Sequence, residues 1–146
     1  MFNDSNMNDL SRISSTIEWK RSMDLAISMH QVTRQMMSDK PDKSDKSDKS
    51  DKSGSDSLAE RLMQAVFKVE SRITESYHSW VFTQSELFCM ARYHLSETEF
   101  YLECAYRQRS ITHQDYCRLQ SDISYVRFLL SARIENLQKK KPLLLN

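Results

Sequence analysis

TIEWKRSMDLAISMHQVTRQMM, residues 16–37, contains no glycine, no proline and two rows of mostly apolar side chains. Trp19, Met23, Ala26, His30 and Met37 recur at steps of three, four and seven. Leu25, Met29, Val32 and Met36 form a second row beside them, while Lys20, Asp24, Ser28, Gln31 and Gln35 take the opposite side. That spacing is the period of an amphipathic helix, and it predicts a first helix from about Ser15 to Ser38.

Outward from this segment the punctuation is sparse. Residues 1–40 and 55–141 hold neither glycine nor proline, because Pro41 and Gly54 lie in one intervening stretch and Pro142 in the tail. Sheets need turns and turns favour those residues, so the expected class is all-α. The intervening stretch, MSDKPDKSDKSDKSDKSGSDS at 37–57, repeats Ser-Asp-Lys and offers nothing apolar to bury. It cannot offset the roughly 1–2 kcal/mol per residue that ordering a backbone costs, and is expected to be a solvated loop over 38–56. Removing its five Lys and six Asp from the chain's 21 basic and 20 acidic residues leaves 16 and 14, a nearly neutral remainder that demands no polyanionic partner.

After the repeat, Ser57-Leu-Ala-Glu60 reads as a capping box opening a second helix. Leu58, Leu62, Ala65, Val66, Val69, Ile73 and Tyr77 follow at helical spacing. Only Ser79 and Thr83 hint at a break before a third helix marked by Phe88, Ala91, Leu95, Leu102, Ala105 and Tyr106. Thr112 offers an N-cap, with Asp115 in the first turn. Tyr116, Leu119, Ile123, Val126, Leu130, Ile134 and Leu137 then form a near-heptad seam down a fourth helix to Lys139, Lys140 and Lys141. The 146 residues suffice for one core. The expected architecture is an antiparallel up-down four-helix bundle, with a flexible N-terminus at 1–14, the repeat as the loop between helices one and two, and a tail at 142–146.

Nowhere is there a run of some eighteen apolar residues, and the first residues lack a basic-then-apolar order. These features predict a cytoplasmic chain with no membrane partner. Cys89, Cys104 and Cys117 form no CxxC and lie inside apolar patterns, so they are expected as small buried hydrophobes in a reducing compartment.

WKRSMDLAISMHQVT and ARYHLSETEFYLECAYRQRSITHQDY resemble a known family: small four-helix-bundle proteins encoded within intervening sequences of bacterial large-subunit ribosomal RNA genes. In the second segment Ala91, Arg92, Leu95, Glu97, Glu99, Leu102, Ala105, Ile111, Thr112 and Tyr116 carry the match. The resemblance covers helices one, three and four better than helix two. It implies a non-enzymatic bundle that assembles as a ring, commonly a pentamer. It also implies kinship with the accessory protein of diversity-generating retroelements, which binds a reverse transcriptase and RNA. The family has glycine where this chain has Tyr93 and Arg109. At the latter a left-handed cap would cost about 1–2 kcal/mol, so a different turn is expected.

No catalytic, cofactor-binding or metal site emerges from the residues. His30 falls on the Trp19 row and is expected to be buried or interfacial. His78, His94 and His113 lack a recognisable metal-ligand spacing. Glu97 and Glu99 are two apart on a helix and so diverge, which excludes them as an acid and base acting alone. One is expected to face Arg92 or Arg107 in a neighbouring turn or subunit. Arg107, Arg109, Lys139, Lys140 and Lys141 are the candidate contacts to RNA or another partner. The width of the apolar face on helix one points to a homo-oligomer, with Leu25, Met29, Val32 and Met36 as its candidate interface. The expected function is therefore an oligomeric adaptor, an accessory that binds RNA, a reverse transcriptase or both. Its alternative is a stand-alone structural or regulatory bundle that binds no nucleic acid.

Overall fold

A computed structural model describes residues 16–38 and 54–145, and within them every regular element is helical. Four helices follow in order: α1 Ile17–Ser38, α2 Gly54–Tyr77, α3 Val81–Arg107 and α4 His113–Leu145. α2 packs between α1 and α3, and α4 between α3 and α1, as in an up-down bundle. The N-terminal segment and the Ser-Asp-Lys repeat over 39–53 lie outside the described residues.

One core joins all four helices. Leu62, Val66, Val69 and Ile73 of α2 meet Phe88, Leu95 and Leu102 of α3 and the full α4 seam from Leu119 through Leu137. From α1 the core takes Leu25, Met29, Val32 and Met36, each almost without solvent exposure. This corrects the expected oligomer interface, since those four side chains are buried within one chain. The inward row is the one whose Leu and Val fill the space between α2 and α4. Of the row of Trp19, Met23, Ala26, His30 and Met37, Ala26 joins the core and Trp19 packs against it, while His30 and Met37 are exposed.

The helix ends show which local signals hold. Thr112 accepts a hydrogen bond from the Asp115 amide at 3.1 Å, so it caps α4 as expected. The α2–α3 break falls at His78, Ser79 and Trp80. There the Ser79 hydroxyl donates to the Glu75 carbonyl at 2.9 Å, and the Thr83 and Gln84 amides donate to the Trp80 carbonyl. Ser57 does not open α2: the backbone is already helical from Gly54, which puts Ser57 inside the first turn. α4 runs through Pro142 to Leu145, past the point where the sequence placed a tail.

The α3–α4 turn departs from expectation in an informative way. Arg109 has φ 60°, the left-handed conformation, despite its side chain. The Arg109 amide donates to the Tyr106 carbonyl at 3.0 Å and the Ser110 amide to the Ala105 carbonyl at 2.9 Å. These two bonds are the Schellman pattern that ends a helix. They satisfy carbonyls otherwise orphaned, and they offset the roughly 1–2 kcal/mol of left-handed strain.

Candidate functional site

Along the α3–α4 seam, polar side chains from the two helices tie together beside an open groove of about 570 Å³. The Glu103 carboxylate accepts from the Tyr116 phenol across the seam and from Arg107 Nε at 3.0 Å on its own helix. Those two donors, Tyr116 first, hold the Glu103 carboxyl below its ordinary range. The reciprocal effect raises the Tyr116 phenol, because losing its proton would set an anion against the carboxylate. Higher up the seam Arg127 of α4 pairs with Glu99 of α3, and Arg92 donates to Ser131 at 3.3 Å.

The expected partner of Glu99 or Glu97 was Arg92 or Arg107, and the structure assigns otherwise. Glu99 takes Arg127, Glu103 takes Arg107, and the Glu97 carboxylate accepts from His94 Nδ1 at 2.6 Å. Cross-helix pairing across an antiparallel seam depends on register, which a single helical wheel does not contain. The groove's charges are thus compensated within the chain. Glu99 and Glu103 both line the groove, and each is tied to α4, Glu99 through Arg127 and Glu103 through Tyr116. Among the described residues no group of three or more His, Cys, Asp or Glu is placed to hold a metal ion.

At the foot of the seam Tyr106 stacks on Tyr116, with ring centroids 4.1 Å apart and planes within 12°. The Tyr106 hydroxyl lies 2.9 Å from His113 Nδ1, and His113 Nε2 lies 3.4 Å from Cys117 Sγ. The cysteines are less buried than expected: Cys89 and Cys104 are half-buried against the core, and Cys117 is exposed one turn into α4, off its buried seam. His30 is exposed as well, and neither buried nor satisfied by the core.

The basic candidates do not form one patch. Arg107 and Arg109 stand at the α3–α4 turn, while α4 carries Lys139 and Lys140 roughly 40 Å away at about 1.5 Å per residue. Lys139 pairs with Glu135 at 3.1 Å, and the side chain of Lys141 lies outside the described residues.

What sequence reasoning missed is the outer apolar surface. Tyr93 and Phe100, seven residues apart on α3, are 66% and 63% exposed, and Phe128 on α4 is 66% exposed. On the other pair of helices Ile27 and Phe67 are more than half exposed, and Met37 nearly so. The signal was available: except for Met37, which the sequence places on an apolar row, each is a large apolar residue outside the core row of its own helix. Trp80, 83% exposed, stands in the α2–α3 connection.

No family model matches the chain, and no curated protein sequence does. A match of fold is found among solved structures, in a protein of unknown function from the S23 ribosomal protein family of Bacteroides thetaiotaomicron. It aligns with a TM-score of 0.66 over 81% of this chain and 98% of that one, at 15% identity. The likeness is one of fold, a four-helix bundle. No helix among the described residues is long and apolar enough to cross a membrane.

Proposed function

We propose that the chain is a non-enzymatic adaptor that works as a homo-oligomer, each copy docking the apolar outer face of its α3/α4 layer onto the α1/α2 layer of the next. The observation that supports this reading is the exposure of Phe67 on one layer and of Phe100 and Phe128 on the other. Large aromatic side chains left in water on two sides of one bundle are what a head-to-tail contact covers, and such a contact closes into a ring when its rotation permits. The ring of five that the sequence resemblance implies is one such closure. An accessory role toward a reverse transcriptase and RNA is the finer form of the same reading, with Arg109 and Lys140 as its cationic contacts.

The test uses two single variants, Phe67→Glu and Phe100→Glu. In a head-to-tail assembly each keeps one of the two docking surfaces, so each alone sediments as a monomer and the two mixed form dimers that grow no further. Mixed variants that stay monomeric, or single variants that keep the parent mass, contradict the contact. RNA binding is read separately by filter retention at about 50 and 200 mM salt, where phosphate contacts lose affinity steeply. Retention unaffected by replacing Arg109 and Lys140 removes the RNA form and leaves the adaptor.

A further inference from the structure

We propose that Cys117 is a reactive thiol, served by His113 as proton acceptor and by Tyr106 as the group that positions His113, and that small hydroperoxides oxidise it in a single, non-catalytic turnover. The site is separate from the docking faces above. Its three members come from two helices: Tyr106 in the last turn of α3, His113 and Cys117 one turn apart at the start of α4.

The geometry is that of a nucleophile, a base and an orienting group. Tyr106 oxygen lies 2.9 Å from His113 Nδ1, and Cys117 Sγ lies 3.4 Å from His113 Nε2. With the Nδ1 proton donated to the Tyr106 oxygen, Nε2 presents its lone pair to the thiol. Tyr106 is itself fixed by its stack on Tyr116, whose phenol is tied to Glu103. The imidazole is therefore held by the α3–α4 turn, independent of the thiol. Other charged groups around the site are Glu103 and Arg107 from α3, which pair with each other, and Asp115 and Arg118 on α4, which pair at 3.2 Å. No unpaired anion among these opposes a thiolate. Cys117 is exposed, whereas Cys89 and Cys104 are half-buried.

The step balances as a two-electron transfer. The Cys117 proton moves to His113 Nε2, the thiolate attacks the near oxygen of the peroxide, an S–O bond forms and the O–O bond breaks. The departing hydroxide or alkoxide takes the proton from Nε2. Sulfur is oxidised to a sulfenic acid and the peroxide is reduced to water or an alcohol.

The experiment exposes the full chain to hydrogen peroxide with dimedone present and reads each cysteine by peptide mass spectrometry. Cys117 labels first, and His113→Ala, checked for retained helicity, slows it about tenfold at a pH near 6.5 while leaving Cys89 and Cys104 unchanged. Tyr106→Phe, which keeps the ring stack and loses the hydrogen bond, slows it less and shifts the pH profile of the rate. Exposure alone explains fast labelling but not this dependence, so an unchanged Cys117 rate in His113→Ala overturns the proposal. If that variant fails to fold, the unmodified chain decides. There Cys117 reacts about tenfold faster than glutathione under the same conditions, and an equal rate overturns the proposal.

Discussion

Ser22 on α1, only 1% exposed, donates its hydroxyl to the Glu70 carboxylate of α2 at 2.5 Å, tying the two helices that the Ser-Asp-Lys repeat joins in sequence. Burial raises the Glu70 pKa above its ordinary 4.5 and outweighs the opposing hydrogen bonds from Ser22 and Thr74. The folded chain thus holds a proton on Glu70 more tightly than the unfolded chain. The group's stabilising contribution is fully present below about pH 4.5 and is lost as pH rises through the raised value. Ser22→Ala removes a donor to the charged form and costs about 1 kcal/mol at pH 7 and less at pH 4. Urea denaturation at the two pH values checks this, and equal losses would contradict the charged hydrogen bond.

Tyr77 donates to Glu18 at 3.0 Å at the same α1–α2 contact, and burial first, then the Glu18 charge, push its phenol up to about 12. Folding raises this pKa, so the stability it contributes is intact below pH 10 and disappears between pH 10 and about 12. In an ultraviolet titration Tyr77 ionises last, as the native chain begins to unfold. Tyr77→Phe removes that late step. A variant whose titration keeps it shows that another tyrosine is responsible.

Ile123 and Leu130 of the α4 seam have no solvent exposure. Either residue changed to Ala costs about 2–5 kcal/mol through lost burial and a residual cavity. Chemical denaturation showing less than about 0.5 kcal/mol at both would place the seam in solvent, against the packing described here.

Arg109 holds a left-handed φ of 60° inside the bonds that end α3. Arg109→Gly relieves the Cβ clash at the same backbone geometry and raises stability by up to about 1 kcal/mol, with no change in helical content. A loss of stability on this substitution would mean that the arginine side chain contributes contacts exceeding the strain.

Much of this fold was legible in the residues, and the boundary of legibility is physical. The α4 seam, the Thr112 cap and the break near Ser79 depend on periodicity and local hydrogen bonding, which the chain states directly. The inward row of α1 is different. Trp19-Met23-Ala26-His30-Met37 and Leu25-Met29-Val32-Met36 are both core rows on an isolated helix, and the positions of α2 and α4 set how far each turns inward. The ties Glu99–Arg127 and Glu103–Tyr116 depend on the stagger of α3 against α4, and the Tyr106–His113–Cys117 chain depends on how tightly their turn closes. At Arg109 a residue-level cost gave the opposite conclusion, because two backbone bonds outweigh it. The exposed Phe67, Phe100 and Phe128 stand off the core rows, and the periodicity that marks a core says nothing of an outer contact.

The adaptor reading rests on those aromatic side chains being covered by another copy, and the mass of the native particle tests it most directly. Light scattering of the full chain at micromolar concentration is expected to give a single species several times the mass of one chain, fivefold for the ring that the resemblance implies. Phe100→Glu is expected to reduce it to one chain with unchanged helicity. A monomeric mass for the unmodified chain contradicts the account, since Phe67, Phe100 and Phe128 would then stand in water with no second copy upon them.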